Sequence, residues 1–102
     1  VRDPYPIPVI RGVVATTDHD LVPQELSVLR NKYKAVAADW ESGAIAYVSA
    51  HNKVPCLILR GVTVVVGPHG NPAYDNPNLY FKNARKLMAR LILSLPQWLA
   101  RA

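Results

Sequence analysis

Residues 54–66 (VPCLILRGVTVVV) form a nearly continuous apolar run broken by one cation, Arg60. The run is shorter than the roughly 20 residues of a membrane-spanning helix, and its β-branched composition is that of a parallel strand covered by helices on both faces. It predicts a central strand over residues 55–66, which obliges the rest of the chain to supply flanking helices and neighbouring strands. Cys56, the single cysteine, lies inside this run, where a thiol packs as a small buried hydrophobe and has no disulfide partner within the chain.

The preceding sequence alternates in the way such a sheet requires. Residues 9–16 are rich in β-branched side chains and read as a strand; residues 23–30 follow as a helix, with Pro23 at a position that a first turn tolerates. A second apolar run, residues 35–38, leads into Asp39, Trp40 and Glu41, after which Ala44, Ile45, Val48 and Asn52 recur at helical spacing. Ser42, Gly43, Ala44, Ala46, Ser49 and Ala50 make this second helix small enough to lie close against a sheet. Residues 67–78, with their glycines, prolines and asparagines, read as a loop that could cover a site. Residues 77–95 place Tyr80, Ala84, Leu87, Leu91 and Leu95 on one helical stripe and Lys82, Lys86 and Arg90 on another, with Pro96 as the stop. Strand and helix in alternation imply βαβ units, right-handed crossovers and a three-layer α/β fold with a mostly parallel sheet.

With 102 residues, half of them hydrophobic, the chain has the size of one domain or part of one. It opens on Val1, Arg2 and Asp3 rather than Met, and reads as the interior of a longer chain. Three strands leave exposed sheet edges, which again points to further chain. The net charge of +5 attracts polyanions. Lys82, Arg85, Lys86 and Arg90, however, have the pattern of a solvated helix face and no interleaved stacking aromatics, so no nucleic-acid partner is expected. No leader or membrane segment is legible, and a cytoplasmic location is the expectation. His19, His51 and His69 lack the spacing of a metal site and read as surface or loop histidines; neither metal nor cofactor is expected.

In open α/β sheets ligands bind at the carboxyl ends of strands, and Asp39-Trp40-Glu41 sits at such an end where a helix begins. Acidic residues also favour a first helical turn through the helix dipole, so the position alone leaves both roles open. Arg60 is costly in an apolar strand unless an acid pairs with it.

Three spaced segments carry a resemblance. Residues 38–46 (ADWESGAIA) resemble the acidic, Met, Glu, small, small, Ala segment of the nucleoside phosphorylase and nucleosidase family, most of all its methylthioadenosine and S-adenosylhomocysteine nucleosidases. Residues 60–63 (RGVT) resemble the start of its Arg-x-(Ile/Val)-(Ser/Thr)-Asp strand end, and residues 12–18 (GVVATTD) its Gly-(Ile/Val)-x-x-Ser-Gly-Asp strand end. The match covers residues 12–63. It implies that residues 1–102 are the C-terminal half of such a domain, the water-activating glutamate and a glycine-rich loop belonging to the half not represented here.

The resemblance implies a role for each matching position. Glu41 accepts hydrogen bonds from ribose hydroxyls and stabilises a sugar turning oxocarbenium-like. Arg60 helps hold the attacking water beside Glu41, the alternative being a structural ion pair with Asp39 or Asp18. Trp40 stands where a methionine packs on the ribose, the alternative being a core tryptophan. Asp20 and Leu21 fall where an aromatic and an aliphatic residue meet the base, and Thr63 lies at the substrate-facing strand end. Val64 replaces the aspartate that protonates the leaving purine, and a valine donates no proton. The resemblance therefore implies a small-molecule nucleoside substrate, homo-oligomerisation, and cleavage of a purine nucleoside or thionucleoside that is impaired by Val64. A nucleoside-binding or oligomer-forming descendant without catalysis is the alternative.

Overall fold

The computed structural model describes residues 4–102; Val1, Arg2 and Asp3, on which the reading of an internal start rests, lie outside the described residues. Strand β1 (Val13–Thr16) leads through a 3-10 turn (Pro23–Glu25) into helix α1 (Leu26–Asn31), then strand β2 (Ala35–Asp39) and helix α2 (Ser42–His51). The turn begins with Pro23 at its first position, where a missing N–H costs nothing. Lys34 returns the chain to β2 with a positive φ of 56°. The two strands pair in parallel, Val14 opposite Ala37, Ala15 opposite Ala38 and Thr16 opposite Asp39, with an irregularity between Val13 and Val14. The chain is thus an α/β protein with a parallel sheet, and β1 and β2 end side by side at their carboxyl ends.

The third predicted strand is corrected. Residues 55–66 form no ladder with β1 or β2, and the sheet has two strands among the described residues. A strand exists only through a neighbour that takes its backbone groups. This segment is held instead by side chains: Arg60 to Asp39, the Thr63 carbonyl to Asn83, and Gly61 against Leu87, where a Cβ would overlap the leucine. Cys56 is exposed rather than buried, because nothing covers that stretch among the described residues.

Close packing of the small-residue helix is tightest at its first turn, with Ser49 half-buried further along. The Gly43 N–H donates to Thr16 Oγ1 at 2.6 Å, and a Cβ there would stand 2.9 Å from that oxygen. Ala44, Ala46 and Ala50 are exposed, as are Ile45 and Val48.

Two further expectations change at the C-terminal side. The loop of residues 67–78 contains a short antiparallel bridge between Gly67 and Gly70, with Gly70 at φ +122°, and a helical turn, α3 (Pro72–Asp75). The side chain of Asn71 caps α3 by accepting from the Ala73 N–H, and Asn76 caps the next helix by accepting from the Leu79 N–H. That helix, α4 (Pro77–Leu99), runs through Pro96 instead of stopping at it. Proline forfeits one backbone bond, but its own carbonyl still accepts from the Ala100 N–H at 3.0 Å, so the last turn closes. The inner stripe of α4 is Ala84, Leu87, Leu91, Ser94 and Trp98; Tyr80 and Leu95, expected on it, are exposed. Trp98 is the most deeply buried hydrophobic side chain and stacks with Tyr5 at 5.7 Å between ring centroids.

Candidate functional site

Register builds the site. Because Thr16 lies opposite Asp39 and both strands end there, the side chains of the two terminal residues and the first turn of α2 converge. Asp39 Oδ1 accepts from Thr16 Oγ1 at 3.0 Å and from the Ser42 N–H at 3.1 Å, and the Ser42 hydroxyl donates to Asp39 Oδ2. Asp39 thereby satisfies an open N–H at the start of α2, where the helix dipole also favours its charge. The Thr17 N–H closes the strand end on the Asp39 carbonyl at 2.9 Å.

Arg60 arrives from the 55–66 segment and completes the cluster. Its Nε lies 2.8 Å from Asp39 Oδ2 and donates also to Ser42 Oγ at 2.9 Å, and its Nη2 donates to Glu41 Oε2 at 3.3 Å. One guanidinium thus spans two carboxylates of different character. Asp39 is largely buried, at 13% side-chain exposure, and fully engaged; Glu41 is open to solvent, at 59%, with Arg60 as its one side-chain partner among the described residues. Burial is the largest influence on the Asp39 carboxyl and by itself would raise its pKa. The Ser42 hydroxyl and N–H, Thr16 and the Arg60 charge together outweigh it and hold the group below its ordinary value. Asp39 is therefore a fixed anion that anchors Arg60, and Arg60 in turn positions an accessible carboxylate.

The remaining predicted residues spread around this cluster. Trp40 is exposed, and its Nε1 donates to the His19 carbonyl at 3.2 Å. His19 Nε2 meets Glu25 Oε1 at 2.7 Å, and Thr17 Oγ1 also donates to the His19 carbonyl, at 2.7 Å. Asp20 accepts from the Tyr74 hydroxyl, a contact that fastens α3 to the loop after β1 and raises the Tyr74 pKa, first through that hydrogen bond and then through desolvation and the Asp20 charge. Leu21 is half-buried in the same loop. Thr63 and Val64 line a cleft of about 280 Å³ with Val62, Val65, Pro72, Leu79 and Asn83. The structure thus joins Arg60 with Glu41 and also with Asp39, the structural partner named as the alternative; among the described residues no side-chain hydrogen bond joins Trp40, Asp20, Leu21 or Thr63 to Glu41.

Sequence reasoning missed Thr16, Ser42, Tyr74 and Asn83. Thr16 and Ser42 had a local signal, being hydroxyl residues at a strand end and in a helix first turn. Tyr74 and Asn83 had none, since their partners lie 54 and 20 residues away. Among the described residues no group of three or more His, Cys, Asp or Glu could hold a metal ion, and no helix is long and apolar enough to cross a membrane.

A family model described as the phosphorylase superfamily matches residues 2–95, and the chain belongs to that family. It is similar to a 5'-methylthioadenosine/S-adenosylhomocysteine nucleosidase of Geobacillus sp. (strain WCH70), 31% identical over 91 residues that cover 87% of this chain and 38% of the relative. Nucleosidases of the same description from Bacillus thuringiensis (strain Al Hakam) and Bacillus cereus (strain AH187) are each 30% identical over 71 residues, covering 68% of this chain and 31% of the relative. The chain thus spans 38% or less of the length of these curated relatives. No solved structure gave a significant match.

Proposed function

We propose that this chain supplies the ribose-facing part of a site that cleaves the N-glycosidic bond of a purine nucleoside or thionucleoside, with methylthioadenosine and S-adenosylhomocysteine as the first substrates to try. The observation that carries the reading is the Arg60 bridge, which holds the exposed Glu41 carboxylate at the carboxyl end of the sheet while Asp39 neutralises the rest of the guanidinium. Glu41 accepts hydrogen bonds from the ribose hydroxyls. As the bond from C1′ to the base nitrogen lengthens, its charge stabilises the oxocarbenium-like sugar. Arg60 orients the nucleophile, water in the nucleosidase reading or phosphate in the alternative, and the oxygen of that nucleophile bonds C1′ while the electron pair departs with the base. Trp40 lies flat against the sugar, Asp20 and Leu21 face the base, and Thr63 borders the pocket.

The departing base needs a proton, and Val64 gives none. Loss of a general acid costs about 100-fold to 10,000-fold, so turnover is slow by that factor. Val64 is also the observation that favours the second reading, a nucleoside-binding protein without turnover. In the first reading the protein acts as a homo-oligomer in the cytoplasm, which is the family expectation; the many exposed apolar side chains, Ile10, Val36 and Tyr47 among them, support assembly with further protein.

The test is adenine release by the full-length protein from methylthioadenosine, with and without phosphate, alongside calorimetric titration of the same nucleoside. Slow release independent of phosphate supports the nucleosidase, release that requires phosphate supports a phosphorylase, and binding without release supports the second reading. Absence of both binding and release overturns the proposal.

A further inference from the structure

The cleft of about 280 Å³ that Thr63 and Val64 line has no ionisable wall among the described residues. Five of its seven lining side chains are apolar, Val64 among them, and its polar side chains are the Thr63 hydroxyl and the Asn83 amide. The amide is already committed, its Nδ2 donating to the Thr63 carbonyl at 2.7 Å. Neither a hydroxyl nor an amide hands a proton to a departing base as a carboxylic acid does. The volume lies just below the range of about 300–1,000 Å³ found for small-molecule pockets, which suits a flat base with its sugar outside. The cleft begins at Val62, two residues beyond Arg60, so at most about 7 Å of chain separates it from the residue whose guanidinium meets Glu41.

Apolar walls on one side and an open carboxylate on the other set a direction for charge. When a neutral base leaves, negative charge gathers on it, and against apolar walls that charge loses its hydration with no proton to neutralise it. A base that starts as a cation behaves in the opposite way. Its positive charge leaves the apolar cleft as the glycosidic bond stretches and moves onto the sugar, toward the carboxylate of Glu41, which stands 59% exposed.

We propose that the site selects nucleosides whose base is already a cation, an N7-alkylated purine or an N-ribosylpyridinium. The bond from C1′ to the base nitrogen breaks, and its electron pair stays with the ring and neutralises it. The oxygen of a water bonds C1′, and one proton of that water passes to solvent. No proton is asked of the cleft, so Val64 is no obstacle to this substrate. The inference rests on the reading of the site as one that cleaves glycosidic bonds, and it narrows the substrate of that reading.

The experiment measures base release by full-length protein from 7-methylguanosine at mildly acidic pH, where its ring is a cation, from guanosine, and from the ribosylpyridinium that carries a 3-carboxamide, each corrected for release without protein. Binding of each nucleoside is followed by calorimetry. The expected result is release of 7-methylguanine at least about 100-fold faster than guanine, since a site with its own acid would supply the proton that guanosine lacks. The faster of the two cationic nucleosides identifies the ring that fits. Val64→Asp places an acid in the cleft and lowers the ratio of 7-methylguanine to guanine release by about 100-fold; the comparison on the unsubstituted protein stands whether or not this variant folds. Guanine released as fast as 7-methylguanine, a ratio that folded Val64→Asp leaves unchanged, or release from guanosine and from neither cationic nucleoside each overturns the inference and leaves glycosidic cleavage standing. Binding of these nucleosides without release, or neither binding nor release, overturns both.

Discussion

Arg60 Nε stands 2.8 Å from Asp39 Oδ2, and the same guanidinium reaches the exposed carboxylate of Glu41. The residue between the two carboxylates in sequence, Trp40, faces solvent. One arginine from an unpaired segment thus fastens that segment to the carboxyl end of β2 and reaches the one carboxylate of the cluster that stays open to solvent.

Removing the anchor loosens the segment of residues 55–66. Arg60→Met leaves Asp39 largely buried without its cation, and Asp39→Asn leaves Arg60 with Glu41 as its one carboxylate beside the Ser42 hydroxyl. Each costs roughly 1–2 kcal/mol, discounted because the guanidinium is about a third exposed and solvent screens it. Urea unfolding of the two single variants and the double variant checks this: coupling between the sites makes the double loss smaller than the sum of the single losses.

Acid sensitivity follows from Asp39. Its native pKa lies below the ordinary value of 3.8, so the native state favours the ionised form. This contribution to stability is fully present above the unfolded pKa of about 4 and is lost as pH falls through the lower native value. Unfolding free energy measured from pH 6 to pH 2 declines below about pH 4, and Asp39→Asn flattens that decline.

Gly61 has no room for a side chain. A Cβ there overlaps Leu87 on α4, so Gly61→Ala forces the helix or the segment to shift at a cost of about 1–3 kcal/mol. The expected readout is a lower melting temperature, relieved in part by Leu87→Ala, which clears the same space.

Trp98 anchors α4. Trp98→Ala removes a buried ring stacked on Tyr5 and costs about 3–5 kcal/mol. Phe at this position restores most of it, because the indole Nε1 is buried with no hydrogen-bond partner to lose. Urea unfolding followed by far-UV circular dichroism compares both variants with the unsubstituted protein, since both lack Trp98 and Trp40 is already exposed.

Much of this arrangement was legible in the sequence because it is local. A β-branched run marked β1 and a short apolar run marked β2, Pro23 marked the entry to α1, and Asp39, Trp40 and Glu41 fell where a strand hands over to a helix. Arg60 in an apolar run required an acid, and the structure supplies two. What escaped was set by tertiary neighbours. Residues 55–66 have strand composition, but a ladder needs a partner backbone that composition does not reveal. Pro96 reads as a stop, yet one lost hydrogen bond does not end a helix anchored on either side by Leu91 and Trp98. The Tyr74 to Asp20 contact joins residues with no pattern between them.

Glu41, held by Arg60, is proposed to stabilise the sugar as the glycosidic bond breaks. The most direct measurement is adenine release from methylthioadenosine by full-length protein carrying Val64→Asp, compared with Val64→Asp combined with Glu41→Gln. The expected result is that Val64→Asp raises the rate by about 100-fold or more over the unsubstituted protein, and that adding Glu41→Gln lowers it again by roughly 100-fold. A Val64→Asp rate that is indifferent to Glu41→Gln would contradict it.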